Sequence, residues 1–153
     1  MPTRRDVLST GAHACTAALA AGALGLYPHA ATEVQRFVLI GLTGPGDPAR
    51  ASLLFAWASA LAEAGHIVRV ELAGDAALLL RREVADSLVA TGLPPLRDIM
   101  AKAEAHGIPI FVCRPCAMAR GVAESDLEGR NAQFTNAQVM AADMVWATKV
   151  LVV

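Results

Sequence analysis

Two cysteines three residues apart, Cys113 and Cys116, are the residues of this chain best suited to chemistry. They sit in Ile108-Pro109-Ile110-Phe111-Val112-Cys113-Arg114-Pro115-Cys116-Ala117-Met118. An apolar, β-branched run leads into the pair and a helix-compatible stretch follows it, which predicts a strand ending at Cys113 and a helix starting just after. The thiolate, not the thiol, is the nucleophile. A helix N-terminus favours it through its dipole and free N–H groups. Arg114 and Arg120 add positive charge, so the expected route to a reactive thiol is electrostatic depression of its pKa. Cys113, at the strand end, is the candidate nucleophile, and Cys116 is the accessory thiol.

The elements that must position this pair are legible on either side of it. Arg36 to Leu42 is a continuous apolar run, as expected of a buried parallel strand. Thr43-Gly44-Pro45-Gly46-Asp47-Pro48 is a turn, with Asp47 as N-cap and Pro48 at the first helical position. A helix is predicted from Pro48 to Ala64, closed by Gly65. His66–Leu72 is a second strand. A helical region is predicted from Ala76 to Ala90, broken by Thr91-Gly92-Leu93-Pro94-Pro95. Leu96 to His106 is another helix, then come the strand at 108–113 and a short helix at 115–120. Residues 120–130 read as loop with a turn of helix. Residues 131–135 form a short strand, Asn136 caps a helix over 137–148, and 149–153 is a last strand. Alternation at this spacing predicts an α/β fold: a parallel sheet of about five strands with helices on both faces. Chemistry in such sheets gathers beyond the C-terminal strand ends, where Cys113 and the Thr43–Asp47 loop both fall.

Several uses of the cysteine pair are open at this stage. Zinc needs two more ligands. His66 and His106 each lie at the start of a strand, and a strand is roughly 17–20 Å long, so within one subunit neither reaches Cys113. The same distance excludes a Cys–His dyad, and no metal is expected. A thioredoxin-like disulfide is a second use, although the pair follows the third strand and lacks a Trp-Cys-Gly-Pro-Cys context. Two inert, partly buried cysteines are the third. The loop Gly41–Asp47 stands where a phosphate-binding turn would, but matches neither G-x-G-x-x-G nor Walker A. It reads as a turn bordering the cysteine pocket, and no cofactor is expected.

The whole chain is 153 residues, enough for one domain with a real core. A net charge of −1 leaves no basic footprint for nucleic acid. The N-terminus reads differently from the rest. Thr3-Arg4-Arg5-Asp6-Val7-Leu8 is a twin-arginine pattern, and residues 7–27 are rich in Ala, Leu and Gly with no Asp, Glu, Lys or Arg. Small residues follow at Ala30-Ala31. Residues 1–31 are therefore expected to be a Tat-type export signal and 32–153 the working domain, exported to the periplasm. An uncleaved signal would instead anchor the chain, being near the ~20 residues that span a bilayer. Cleavage removes two of 13 basic and one of 14 acidic residues, leaving a net charge of −2. It also removes Cys15, so the pair at 113 and 116 is all the thiol the domain keeps.

Along residues 36–153 the chain resembles the DsrE/DsrF-like family, which includes sulfur-relay subunits of the TusD type. Phe37-Val38-Leu39-Ile40-Gly41-Leu42-Thr43-Gly44-Pro45 looks like that family's first strand and turn. Ala60-Leu61-Ala62-Glu63-Ala64-Gly65-His66 looks like the end of its first helix. Cys113 followed by Arg120-Gly121-Val122 matches the interval at which relay members carry a persulfide-forming cysteine before Arg-Gly-Val. Cys116 and Gly92-Leu93-Pro94-Pro95-Leu96 resemble a subgroup reading Val-Cys-x-Pro-Cys-Ala-x-x-Arg-Gly. The resemblance implies a flavodoxin-like fold, trimeric or hexameric assembly, and thiol-based sulfur handling with Cys113 as carrier. The partners it implies are sulfur donor and acceptor proteins or small thiols. Relay members are cytosolic and use one cysteine. An exported chain with a second thiol admits two alternatives: a periplasmic dithiol/disulfide protein, or an oligomeric binding module that is not an enzyme.

Overall fold

The computed structural model describes residues 33–153. The expected export signal lies outside the described residues. No helix among the described residues is long and apolar enough to cross a membrane.

Five strands form one sheet: β1 (Arg36–Gly41), β2 (Ile67–Leu72), β3 (Ile110–Cys113), β4 (Ala132–Thr135) and β5 (Lys149–Val152). All neighbours are parallel and the order is β4-β3-β2-β1-β5. The helices are α1 (Pro48–Glu63), α2 (Arg82–Ser87), α3 (Leu96–Ala105), α4 (Arg114–Met118) and α5 (Ala137–Trp146). This is the expected flavodoxin-like arrangement. The chain steps outward from β1 to β4, then returns to the far side of β1. Right-handed crossovers therefore put α1 and α3 on one face and α5 on the other.

The two faces differ chemically. Leu39, Val70, Leu72, Ile110 and Val112 pack with Leu54, Phe55, Ile99 and Met100 into one buried cluster. Gly41 belongs to that face because α1 comes so close. A Cβ there would lie 2.5 Å from Leu54 Cδ2 and 3.3 Å from Leu72 Cδ2. On the opposite face Val38 and Ile40 are buried beside Arg69 and the fully buried Glu71. Among the described residues, α5 is the helix that covers that side.

Two expectations need correction. The helix predicted over 76–90 is instead a 3-10 segment, Gly74–Leu80, followed by the six-residue α2. Ala76, Ala77, Leu79 and Leu80 are all buried. A threefold winding stacks 76 on 79 and 77 on 80, so both apolar rows face the core. Arg81, at ψ 128°, then breaks the winding before α2. The last helix ends at Trp146 rather than 148 because Thr148 already belongs to the sheet edge. Its backbone N–H donates to the Arg36 carbonyl at 2.9 Å, and its hydroxyl accepts from the Arg36 N–H at 2.9 Å.

Candidate functional site

Cys113 is both the last residue of β3 and the N-cap of α4, and Cys116 is the third residue of that helix. N-cap and third-residue side chains face each other across the first helical turn, so the fold brings the two thiols together. Both are half-buried and neither is in a disulfide. Pro115 between them fixes φ and holds the spacing.

The surroundings of Cys113 overturn the expected depressed pKa. Burial pushes its thiol up, and the neighbouring Cys116 thiol adds to the rise. A weak pull from the Cys116 backbone N–H and the charge of Arg120 act the other way and are outweighed. The helix does little to offset burial. It is five residues long, Pro115 removes one of its free donors, and Cys113 makes no full cap hydrogen bond.

Of the two arginines, Arg120 is the one coupled to the thiols. Its Nη1 donates to the Cys116 carbonyl at 3.1 Å. Its Nε donates to Asp75 Oδ1 at 2.7 Å, and Nη2 forms an ion pair with the same oxygen at 2.7 Å. Arg114 is held elsewhere: its guanidinium donates to Glu124 at 3.3 Å and lies 4.8 Å from the centre of the Phe134 ring. Among the charges acting on the Cys113 thiol, Arg120 contributes and Arg114 does not.

The loop after β1 borders this site, as expected, and does so through Asp75. A Cβ on Gly44 would lie 2.4 Å from the Asp75 carbonyl oxygen and 2.8 Å from its carbon. Only glycine lets the two backbones come so close. Gly44 thus seats Asp75, which in turn holds Arg120. Asp75 lies three residues after the end of β2, in the 3-10 segment, and nothing in the sequence there signals its partner 45 residues on.

Among the described residues, His66 and His106 lie at the other end of the sheet. His66 Nδ1 accepts from the Gln35 backbone N–H at 3.3 Å, and His106 is 3.4 Å from Glu63. Among the described residues, no group of three His, Cys, Asp or Glu side chains converges as a metal site.

A second polar group lies on the Cys113 side of the sheet and was not anticipated. Glu71 and Asp143 are both buried, and Arg69 pairs with Asp143 while stacking 3.8 Å from the Trp146 ring centre. Burial is the main cause that raises Glu71 to a pKa of about 7, followed by the charge and hydrogen bond of Asp143. A protonated Glu71 donating to Asp143 pairs one Glu71 oxygen with Asp143 Oδ2, two of the three carboxylate oxygens that otherwise lack partners. Thr135, the register neighbour of Cys113 on β4, is also buried with an unpartnered hydroxyl. Arg69 and Glu71 alternate with Val68, Val70 and Leu72, and that period was the available signal for a polar inner face.

Comparisons with known proteins agree with this architecture. The sequence profile of the DsrE/DsrF-like family matches residues 35–152. The crystal structure of the ychN protein from E. coli superposes with a TM-score of 0.65 at 18% identity, covering 78% of this chain and 100% of that one. A conserved protein of unknown function, BT1422 from Bacteroides thetaiotaomicron, gives 0.58 at 15% identity, covering 78% and 95%. At such identities the likeness is one of fold. No curated protein matches the chain.

Proposed function

The chain belongs to the DsrE/DsrF-like family, which is associated with sulfur handling, and on that premise we propose that it accepts and transfers sulfane sulfur at Cys113. The observation that carries this reading is the placement of Cys113 at the C-terminal end of β3, with Cys116 against it and Arg120 clamped beside it by Asp75. The Cys113 thiolate attacks the terminal sulfur of a donor persulfide. A new S–S bond forms at Cys113, and the donor leaves as a thiolate. An acceptor thiolate then attacks the outer sulfur and Cys113 leaves, restoring the resting thiol. Because burial raises the Cys113 thiol, the first step quickens as pH rises.

The test is intact-mass spectrometry of the reduced protein after treatment with a small persulfide. The expected result is a gain of about 32 Da, the mass of one sulfur atom, mapped to Cys113. No adduct on Cys113 would refute the reading.

The contact between the thiols favours a second reading, a dithiol/disulfide protein. Cys116 then attacks the Cys113 persulfide, forming the Cys113–Cys116 disulfide and releasing hydrosulfide, and an external dithiol must restore the pair. Cys116→Ser separates the two. Relay survives it, with a longer-lived adduct, whereas disulfide exchange is lost.

The working domain acts after export, as the twin-arginine segment suggests, with donor and acceptor proteins or small thiols as partners. It assembles with copies of itself. Val145 on α5 and Val150 and Val152 on the edge strand β5 are exposed apolar residues. A shallow apolar groove of about 260 Å³ runs between Trp57, Ala60, Leu61 and Leu151. An apolar open edge of this kind calls for a cover. Light scattering is expected to give three or six chains per particle, and a monomer would refute the assembly.

A further inference from the structure

We propose that the reduced Cys113–Cys116 pair is a Cu(I) site, in which the two sulfurs bind one cuprous ion in low coordination and Arg120 balances the resulting charge. This goes beyond sulfur transfer and stands independently of it.

The ligand set selects the metal. Both donors are soft sulfurs, set facing each other at the N-cap and third position of α4, with Pro115 fixing the turn between them. Among the described residues, no imidazole or carboxylate joins them. His66 and His106 are engaged at the opposite end of the sheet, and Asp75 and Glu124 are engaged with Arg120 and Arg114. Zinc wants four ligands, and among the described residues no group of three His, Cys, Asp or Glu side chains converges. Cu(I) is content with two thiolates. Both thiols are half-buried, so the ion has a path in and a partly dry seat.

Charge supports the same reading. Two thiolates set side by side at the start of α4 bring two negative charges together. A monovalent cation between them removes that repulsion. Binding proceeds as two thiols plus Cu(I) giving a bis-thiolate copper anion plus two protons, with no change of oxidation state. The product carries one negative charge. Arg120 is already anchored to the Cys116 carbonyl and acts on the Cys113 sulfur, so it supplies the counter-cation.

The experiment is an anaerobic titration of the reduced full chain into the violet Cu(I)–bicinchoninate complex. One equivalent of protein is expected to withdraw one Cu(I), bleaching the colour and releasing protons into a weakly buffered solution. Cys113→Ser and Cys116→Ser are each expected to leave the colour, with circular dichroism reporting their folding. The wild-type chain, reduced and then alkylated, provides the same control without mutation and is also expected to leave the colour. The proposal is overturned if the reduced wild-type chain fails to bleach the complex at one equivalent. It is overturned equally if a single-serine variant or the alkylated chain bleaches it as well as the parent does. A chain that takes up Cu(I) yet forms no persulfide keeps this site and loses the sulfur-transfer reading. The opposite pair of results does the reverse.

Discussion

Replacing Glu71 with Gln is expected to stabilise the protein at alkaline pH and leave it nearly unchanged in acid. Glu71 is fully buried on the α5 side of the sheet, and its pKa rises from 4.5 to about 7. The folded state therefore holds this proton more tightly than the unfolded chain does. A carboxyl raised in this sense contributes its full stability below the unfolded pKa, and that stability drains away as pH climbs from 4.5 to about 7. One pKa unit corresponds to about 1.4 kcal/mol, so the whole rise corresponds to about 3 kcal/mol lost by pH 8. Glutamine cannot ionise, and its amide N–H reproduces the donation of the protonated acid to Asp143. The assay is urea unfolding of parent and variant at pH 4 and pH 8. At pH 8 the variant midpoint should lie higher by about 1–2 M, given a slope of about 2 kcal/mol per molar. At pH 4 the midpoints should nearly coincide. If the variant is no more stable than the parent at pH 8, Glu71 does not carry a raised pKa and the buried acid pair is wrongly described.

Three further outcomes follow from the same geometry. Arg120→Gln removes the one arginine charge that favours the Cys113 thiolate, so iodoacetamide should modify Cys113 about 2–5-fold more slowly at pH 8, as for loss of a partly screened charge. Unchanged rates would remove Arg120 from the site. Gly44→Ala forces a methyl against the Asp75 backbone and should cost about 1–3 kcal/mol by thermal or urea melts, with a slower Cys113 alkylation because Arg120 loses its seat. Asp143→Ala strands Arg69 beside Trp146 under α5 and should cost about 2–4 kcal/mol, whereas a loss under 1 kcal/mol would show that α5 is held by apolar contact alone.

These perturbations touch two polar groups on different elements. The thiols, Arg120 and Asp75 lie where β2, β3 and the loop after β1 end. Glu71, Asp143 and Arg69 lie under α5, on the face of the sheet that this helix covers. Register relates them: Glu71 pairs with Phe111, two residues before Cys113 on the same sheet face. Titration of the buried acid and reactivity of the thiol can therefore be measured separately, the first by stability and the second by alkylation.

The sequence by itself determined the alternation of strands and helices, the parallel sheet, the junction at which Cys113 sits, and the distance that keeps His66 and His106 from it. These follow from local signals: apolar runs of strand length, Asp47 and Asn136 as caps, Gly65 and Gly107 as stops. Tertiary structure alone decided the rest. The 3-10 winding of 74–80 depends on burial of two apolar rows against the core. The thiol pKa depends on how much of Cys113 is withdrawn from water and on Cys116 beside it, which outweigh a five-residue helix and one arginine. Separating Arg120, whose charge acts on the Cys113 thiol, from Arg114, which is held elsewhere, depends on Asp75 and Glu124 as anchors. The acid pair joins Glu71 to a residue 72 positions away on α5. Such couplings act across space between residues far apart in the chain, and no spacing rule along a strand or helix records them.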